Sequence, residues 1–142
     1  MSVADIANRW NAAAAEASSD RLINGAIPAV RTADGYSAHT WTFTDRLTLE
    51  AISDGAEVGE LILRLVPAGA ESDADSTLAM LTDILTFLVT VDSALEAGSR
   101  GDILQDLVQL NGIDVDTEVT RNGIVYSMNN SSGLIVLSAS RP

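Results

Sequence analysis

Apolar positions recur every three or four residues in three segments of the chain and every second residue in the stretches between and after them. The first segment, Val3 to Ala17, lines up Val3, Ile6, Trp10, Ala13, Ala14 and Ala17 on one stripe, with Asp5, Asn8, Arg9 and Glu16 opposite. It predicts an amphipathic helix over about 3–17. A second helix is predicted over about 74–95. Its polar positions, Thr82, Asp83, Thr86, Thr90 and Ser93, make only a narrow stripe among leucine, isoleucine, valine and phenylalanine, so it must be buried on more than one side. The third helix is short, about 102–110, with Asn111-Gly112 as its stop signal. Ser2-x-x-Asp5, Ser72-x-x-Asp75 and Ser99-x-x-Asp102 resemble capping boxes in which Asp replaces the usual Glu or Gln, and they predict the three helix starts.

Between the first two helices the period changes to two. His39, Trp41, Phe43, Leu47, Leu49 and Ala51 share one parity, and Thr40, Thr42, Thr44, Arg46, Thr48 and Glu50 the other. One face of this β structure, about 36–66, is therefore buried and the other wet. The alternation passes through Asp45 unbroken, as one long bent strand or two strands of the same parity. Asp54-Gly55 then turns the chain into Val58 to Val66, closed by Pro67, and Asp34-Gly35 implies a short edge strand at Ala29 to Thr32. After the third helix, Asn122-Gly123 is the strongest hairpin signal in the chain, and a meander is predicted over about 116–140. Strands and helices grouped in runs indicate an α+β fold. The reading is one domain, 1–142: a mostly antiparallel, curved sheet of about five to six strands with helices packed on one face, in the order α-β-β(β)-α-α-β-β-β.

Composition narrows the functions that fit. The net charge is −12, from 20 acids and 8 bases, and all the bases are arginine. Scattered arginines in so acidic a chain disfavour nucleic acid and anionic membrane surfaces as partners. No lysine means no phosphate-loop lysine, no Schiff base and no pyridoxal-phosphate anchor. No cysteine means no disulfide, thiolate metal site or thiol nucleophile. No apolar run is long enough to span a bilayer. The first residues show no signal peptide, which fits a cytoplasmic protein or an exported one whose signal has been removed. Arginine without lysine beside abundant alanine reads as codon bias of a GC-rich bacterium.

Candidate chemistry is sparse. His39 is the single histidine, and any imidazole mechanism must use it, with a carboxylate such as Asp45 on the same face. Asp114, Asp116 and Glu118 alternate along the chain and form a weak candidate cation site, as do Glu71, Asp73 and Asp75. Both sets fail the EF-hand pattern, with Val119 and Leu78 at the glycine positions. Arg100-Gly101-Asp102 is an adhesive tripeptide explained more simply by the helix start, and Asn129-x-Ser131 and Asn130-x-Ser132 read as turn residues. No cofactor site is assigned.

The leading expectation is a non-enzymatic binding or protein-interaction domain, in one version the soluble part of an exported or cell-envelope protein. Its partner is a protein or a small apolar ligand, or a second copy forming a homodimer through the apolar helix 74–95. One alternative is a cytoplasmic chaperone-like adaptor. The chain resembles the secretion chaperones that hold unfolded partners in its size, acidity and mixed α/β content, although it ends in a β-meander where that family closes with a helix. The other alternative is a small enzyme using His39 with a carboxylate.

Overall fold

The computed structural model describes residues 1–19, 21–23, 29–55, 57–66, 74–94, 96–109, 117–131 and 133–141. Helix α1, Val3–Glu16, is followed by strands β1 (Ala29–Ala33), β2 (Tyr36–Thr44), β3 (Leu47–Asp54) and β4 (Glu57–Leu65). Helices α2 (Ala74–Val91) and α3 (Ala97–Gln109) come next, then strands β5 (Thr117–Arg121), β6 (Ile124–Ser131) and β7 (Leu134–Ser140). The strands form one antiparallel sheet of seven in the order β1-β2-β3-β4-β7-β6-β5. The α+β reading and the antiparallel sheet are thus observed, with one strand more than the upper expectation.

The period-two pattern decides which side of the sheet is covered. One row of neighbours, Trp41, Leu49, Leu63, Leu137 and Met128, crosses five strands on the core side, and all five side chains are buried. The next core-side row runs Val30, His39, Ala51, Leu61, Ala139, Tyr126 and Val119 through all seven. Against these rows pack Ile6, Trp10 and Ala14 of α1, Ile84, Phe87, Leu88 and Val91 of α2, and Ile103 of α3. The opposite rows, such as Thr40, Glu50, Ile62, Ser138, Ser127 and Glu118, face away from the described helices.

Local chemistry explains most boundaries. Ser2 caps α1 with the full capping box: its hydroxyl accepts from the Asp5 amide, and the Asp5 carboxylate accepts from the Ser2 amide. That bond to the Ser2 amide holds the Asp5 carboxyl below its ordinary value. The hairpin turns Asp34-Gly35 and Asn122-Gly123 have positive φ at both residues, 52° and 83°, then 53° and 75°, which is the type I′ geometry that Asn, Asp and Gly tolerate best. The unbroken alternation through Asp45 is two strands joined by a tight turn. Phe43 lies at a register shift between Thr42 and Thr44 and stacks on Trp10, ring centroids 5.0 Å apart. Asn11 ties the chain after α1 back onto the helix, donating to the Ile23 carbonyl at 2.8 Å and accepting from the Ile23 amide at 2.6 Å.

Two helix boundaries differ from expectation. Helix α2 ends at Val91 rather than near Leu95, and Asp92 accepts from the Ala94 amide just beyond it. Helix α3 starts at Ala97, so Ser99 and Asp102 lie inside it and do not form its cap. The first turn is already in place when Arg100 donates from its amide to the Glu96 carbonyl at 3.1 Å. Ser72 lies outside the described residues.

Candidate functional site

Helix α2 carries the surface feature that stands out. Successive residues turn by about 100° around a helix. Asp83, Ile84, Thr86, Phe87, Leu88, Thr90 and Val91 are buried and together occupy one broad arc. The remaining arc points outward. It holds Leu78, Leu81, Thr82, Leu85 and Val89, all exposed or half-buried, with Leu78 64% exposed and Leu85 still packed in part against the core.

This arrangement inverts the usual one. A helix packed on a core normally turns its polar stripe to water, yet here three members of that stripe are the enclosed ones, with Asp83 5%, Thr86 3% and Thr90 0% exposed. Their polar groups are satisfied locally. Thr86 donates to the Thr82 carbonyl at 2.8 Å and Thr90 to the Thr86 carbonyl at 2.7 Å, each one turn back along the helix. Helix α1 and the residues after it supply cations: Arg21 Nε lies 3.9 Å from Asp83 Oδ1, and Arg9 Nη1 donates to the Thr90 carbonyl at 3.5 Å. These contacts make α1 and α2 antiparallel neighbours along a polar seam. Once that seam is turned inward, the leucines at spacing three and four have only the outside left.

A concavity of about 470 Å³ opens beside the N-terminal half of the arc. Ser18, Ser19, Arg21, Leu78, Thr82 and Asp83 form its walls. At the C-terminal end of α2 a cavity of about 30 Å³, bordered by Val91, Leu61 and Ile124, has room for about one water. No described helix is long and apolar enough to cross a membrane.

The residues singled out from sequence are not brought together. His39 is half-buried in the middle of β2, opposite Ala51 and Val30, and its Nδ1 is buried with no hydrogen-bond partner among the described residues. Asp45 is exposed in the turn after β2. Six residues of strand rise put it about 20 Å away. Glu118 is exposed on the edge strand β5, opposite Ser127, whereas Asp114, Asp116, Glu71 and Asp73 lie outside the described residues. Asp75 sits in the first turn of α2. Among the described residues no three acidic or histidine side chains are grouped to hold a metal ion.

Two further polar features escape a sequence reading. On the face of the sheet away from the helices, Glu50 is only 9% exposed, accepting from Thr40 Oγ1 at 3.2 Å and from Arg64 at 3.4 Å. On the core side the Tyr126 hydroxyl is buried without a partner among the described residues. Burial, with the Asp92 carboxylate nearby, pushes its pKa up to about 12. Neither feature groups acids, bases and nucleophiles as catalysis requires. No protein-family model, curated protein or solved structure matches this chain.

Proposed function

We propose that the protein is a non-enzymatic protein-interaction domain whose docking surface is the outward arc of α2. One observation supports this reading: the helix encloses Asp83, Thr86 and Thr90 while Leu78 is exposed and Leu81, Leu85 and Val89 are only half-buried, Leu85 keeping contact with the core. Burying a half-exposed leucine recovers about 1 kcal/mol, so an arc of four aliphatic side chains is a cost to the isolated chain and a gain to a complex. The arc carries no exposed charge between Leu78 and Val89. In a chain of net charge −12, loss of charge at the centre of a patch is the compositional mark of an interface.

A homodimer through this helix is the second reading. The arc has Leu78 and Val89 at its ends and Leu81 and Leu85 between, so it reads alike in both directions and suits a two-fold, antiparallel contact. A chaperone-like adaptor would use the same leucines on an unfolded segment. The lysine-free, cysteine-free composition suits a GC-rich bacterial source and either an envelope or a cytoplasmic setting.

Light scattering across a concentration series tests the homodimer. Twice the chain mass of 14.9 kDa, falling to the single mass in a Leu81→Gln/Leu85→Gln variant, supports it. A constant 14.9 kDa removes it and leaves a different partner. The interaction reading as a whole falls if the physiological partner, once isolated, binds this double variant as well as the unaltered chain.

A further inference from the structure

We infer that Asn122 is a site of spontaneous deamidation, converted to aspartate and isoaspartate through a cyclic imide formed in the β5–β6 turn, and that the product releases this turn from the end of α2. An asparagine followed by glycine meets the least steric resistance to this chemistry, because no side chain shields the glycine nitrogen. Asn122 and Gly123 are both exposed, and a Cβ added at Gly123 would meet open space. Water, the second reactant, reaches the turn freely.

The backbone is already set for ring closure at one of its two angles. Closure requires the Gly123 nitrogen to eclipse Cβ of Asn122, which for an L residue means ψ of about −120°, the value at the first central position of a type II′ turn. The matching φ is about +60°, and Asn122 has φ 53°. The resting type I′ turn differs from type II′ chiefly by a flip of the peptide plane between the two central residues, and both turns serve two-residue hairpins. One flip therefore forms the reactive geometry while the strands stay paired. The Gly123 nitrogen then attacks Cγ of Asn122. The N–Cγ bond forms, the Cγ–Nδ2 bond breaks, and ammonia leaves with the proton given up by the glycine nitrogen. Water opens the imide at either carbonyl: at Cγ it gives aspartate, and at the main-chain carbon it gives isoaspartate, with the backbone routed through Cβ. No oxidant or reductant takes part.

The product cannot keep the contact that asparagine makes. Asn122 Nδ2 donates to Asp92 Oδ2 at 3.1 Å, and Asp92 Oδ1 accepts from the Ala94 amide, so this carboxylate joins the turn to the chain leaving α2. Deamidation replaces the donor with a second carboxylate, and like charges at that separation repel. The last turn of α2 holds no basic residue, so the negative end of its dipole adds to the repulsion. Isoaspartate also lengthens the main chain within a turn that takes two residues of fixed geometry. Arg121 keeps its ion pair with Asp106 of α3, which confines the release to the turn.

Incubating the full chain, folded and in guanidinium chloride, at one temperature and pH tests the chemistry. Peptide mapping by mass spectrometry separates Asn122 from the other two Asn-Gly pairs, Asn24-Gly25 and Asn111-Gly112, and fragmentation distinguishes aspartate from isoaspartate. With a peptide flip as the only added step, the folded chain should convert Asn122 within about tenfold of the unfolded rate and yield both products. A folded rate slower than that, or aspartate without isoaspartate, would overturn the site. The Asn122→Asp variant stands for the aspartate product. Amide hydrogen exchange in its β5–β6 turn should be about fivefold faster than in the unaltered chain. Adding Asp92→Asn restores a donor–acceptor pair of reversed direction and should return exchange to the unaltered value. Unchanged exchange in Asn122→Asp, or no recovery in the double variant, would overturn the release.

Discussion

Placing a charge at adjacent positions of α2 separates the inverted helix from a conventional one. Val89 is half-buried on the outward arc, whereas Thr90 is 0% exposed and its hydroxyl is committed to the Thr86 carbonyl. Complete burial of a valine contributes about 1.5–3 kcal/mol, and an arginine keeps part of that contact through its stem, so Val89→Arg should cost less than about 1 kcal/mol. Thr90→Arg forces a charge into the seam between α1 and α2, where Arg9 already approaches. An uncompensated buried charge beside a like charge costs at least about 3 kcal/mol. Trp10 and Trp41 are both buried, so urea unfolding can be followed by tryptophan fluorescence. With a urea dependence of about 2 kcal/mol per molar, Thr90→Arg should lower the midpoint by about 1.5 M or more and Val89→Arg by less than about 0.5 M. Hydropathy alone predicts the reverse order, since valine is replaced in one case and threonine in the other. Equal midpoints, or a larger loss at Val89, would refute the inward placement of the polar stripe.

Three other outcomes follow from the same packing. Tyr126→Phe removes a buried hydroxyl that lacks a described partner and should leave the urea midpoint unchanged or raise it by up to about 1 kcal/mol of stability. In the unaltered protein, Tyr126 has its pKa raised to about 12, while an unfolded tyrosine ionises near 10. The unfolded state therefore loses its proton first, and stability should fall progressively between these values, by about 2–3 kcal/mol in all. The phenylalanine variant should lack that loss, so comparing midpoints across this pH range tests the assignment. Asn11→Ala leaves the Ile23 amide and carbonyl without their side-chain partners and should cost about 2 kcal/mol, read by the same unfolding curve. His39→Leu exchanges a buried, unpartnered ring nitrogen for an aliphatic group in a core-side row, and a thermal melt should show an unchanged or higher midpoint.

The sheet was legible because its signals are local. Period-two alternation assigned Trp41, Leu49 and Leu63 to the core side, and Asp34-Gly35 and Asn122-Gly123 declared their own turns through backbone tolerance. Helix α1 was equally clear, because its stripe is bounded by a capping box whose two hydrogen bonds lie within four residues. The third helix shows the weakness of that device. Ser99-x-x-Asp102 has the same spacing as Ser2-x-x-Asp5, but the turn continuing back to Ala97 makes it interior. Sequence spacing records which bonds are available and leaves open which are made.

For α2 the pattern established that the helix is enclosed on several sides, and left open which side meets water. That choice depends on partners distant in sequence: Arg21 lies beside Asp83, and Arg9 donates to the Thr90 carbonyl. Nothing within the helix announces those arginines. Residues that did look chemical in isolation are separated in space, with His39 in mid-strand and Asp45 at a turn. The concavity beside Leu78 had no local signal either, because its walls come from the end of α1 and the middle of α2.

The chain contains no cysteine, which permits the most direct test of the outward arc. Single Leu85→Cys and Thr86→Cys variants, treated in the native state with a bulky maleimide, compare two neighbouring positions of α2. Leu85 lies on the half-exposed arc and Thr86 is 3% exposed. The structure predicts that Leu85→Cys is modified rapidly in folded protein, whereas Thr86→Cys is protected until urea unfolds it. Rapid modification at Thr86→Cys with protection at Leu85→Cys would contradict the inverted helix, and with it the docking surface on which the proposed function rests.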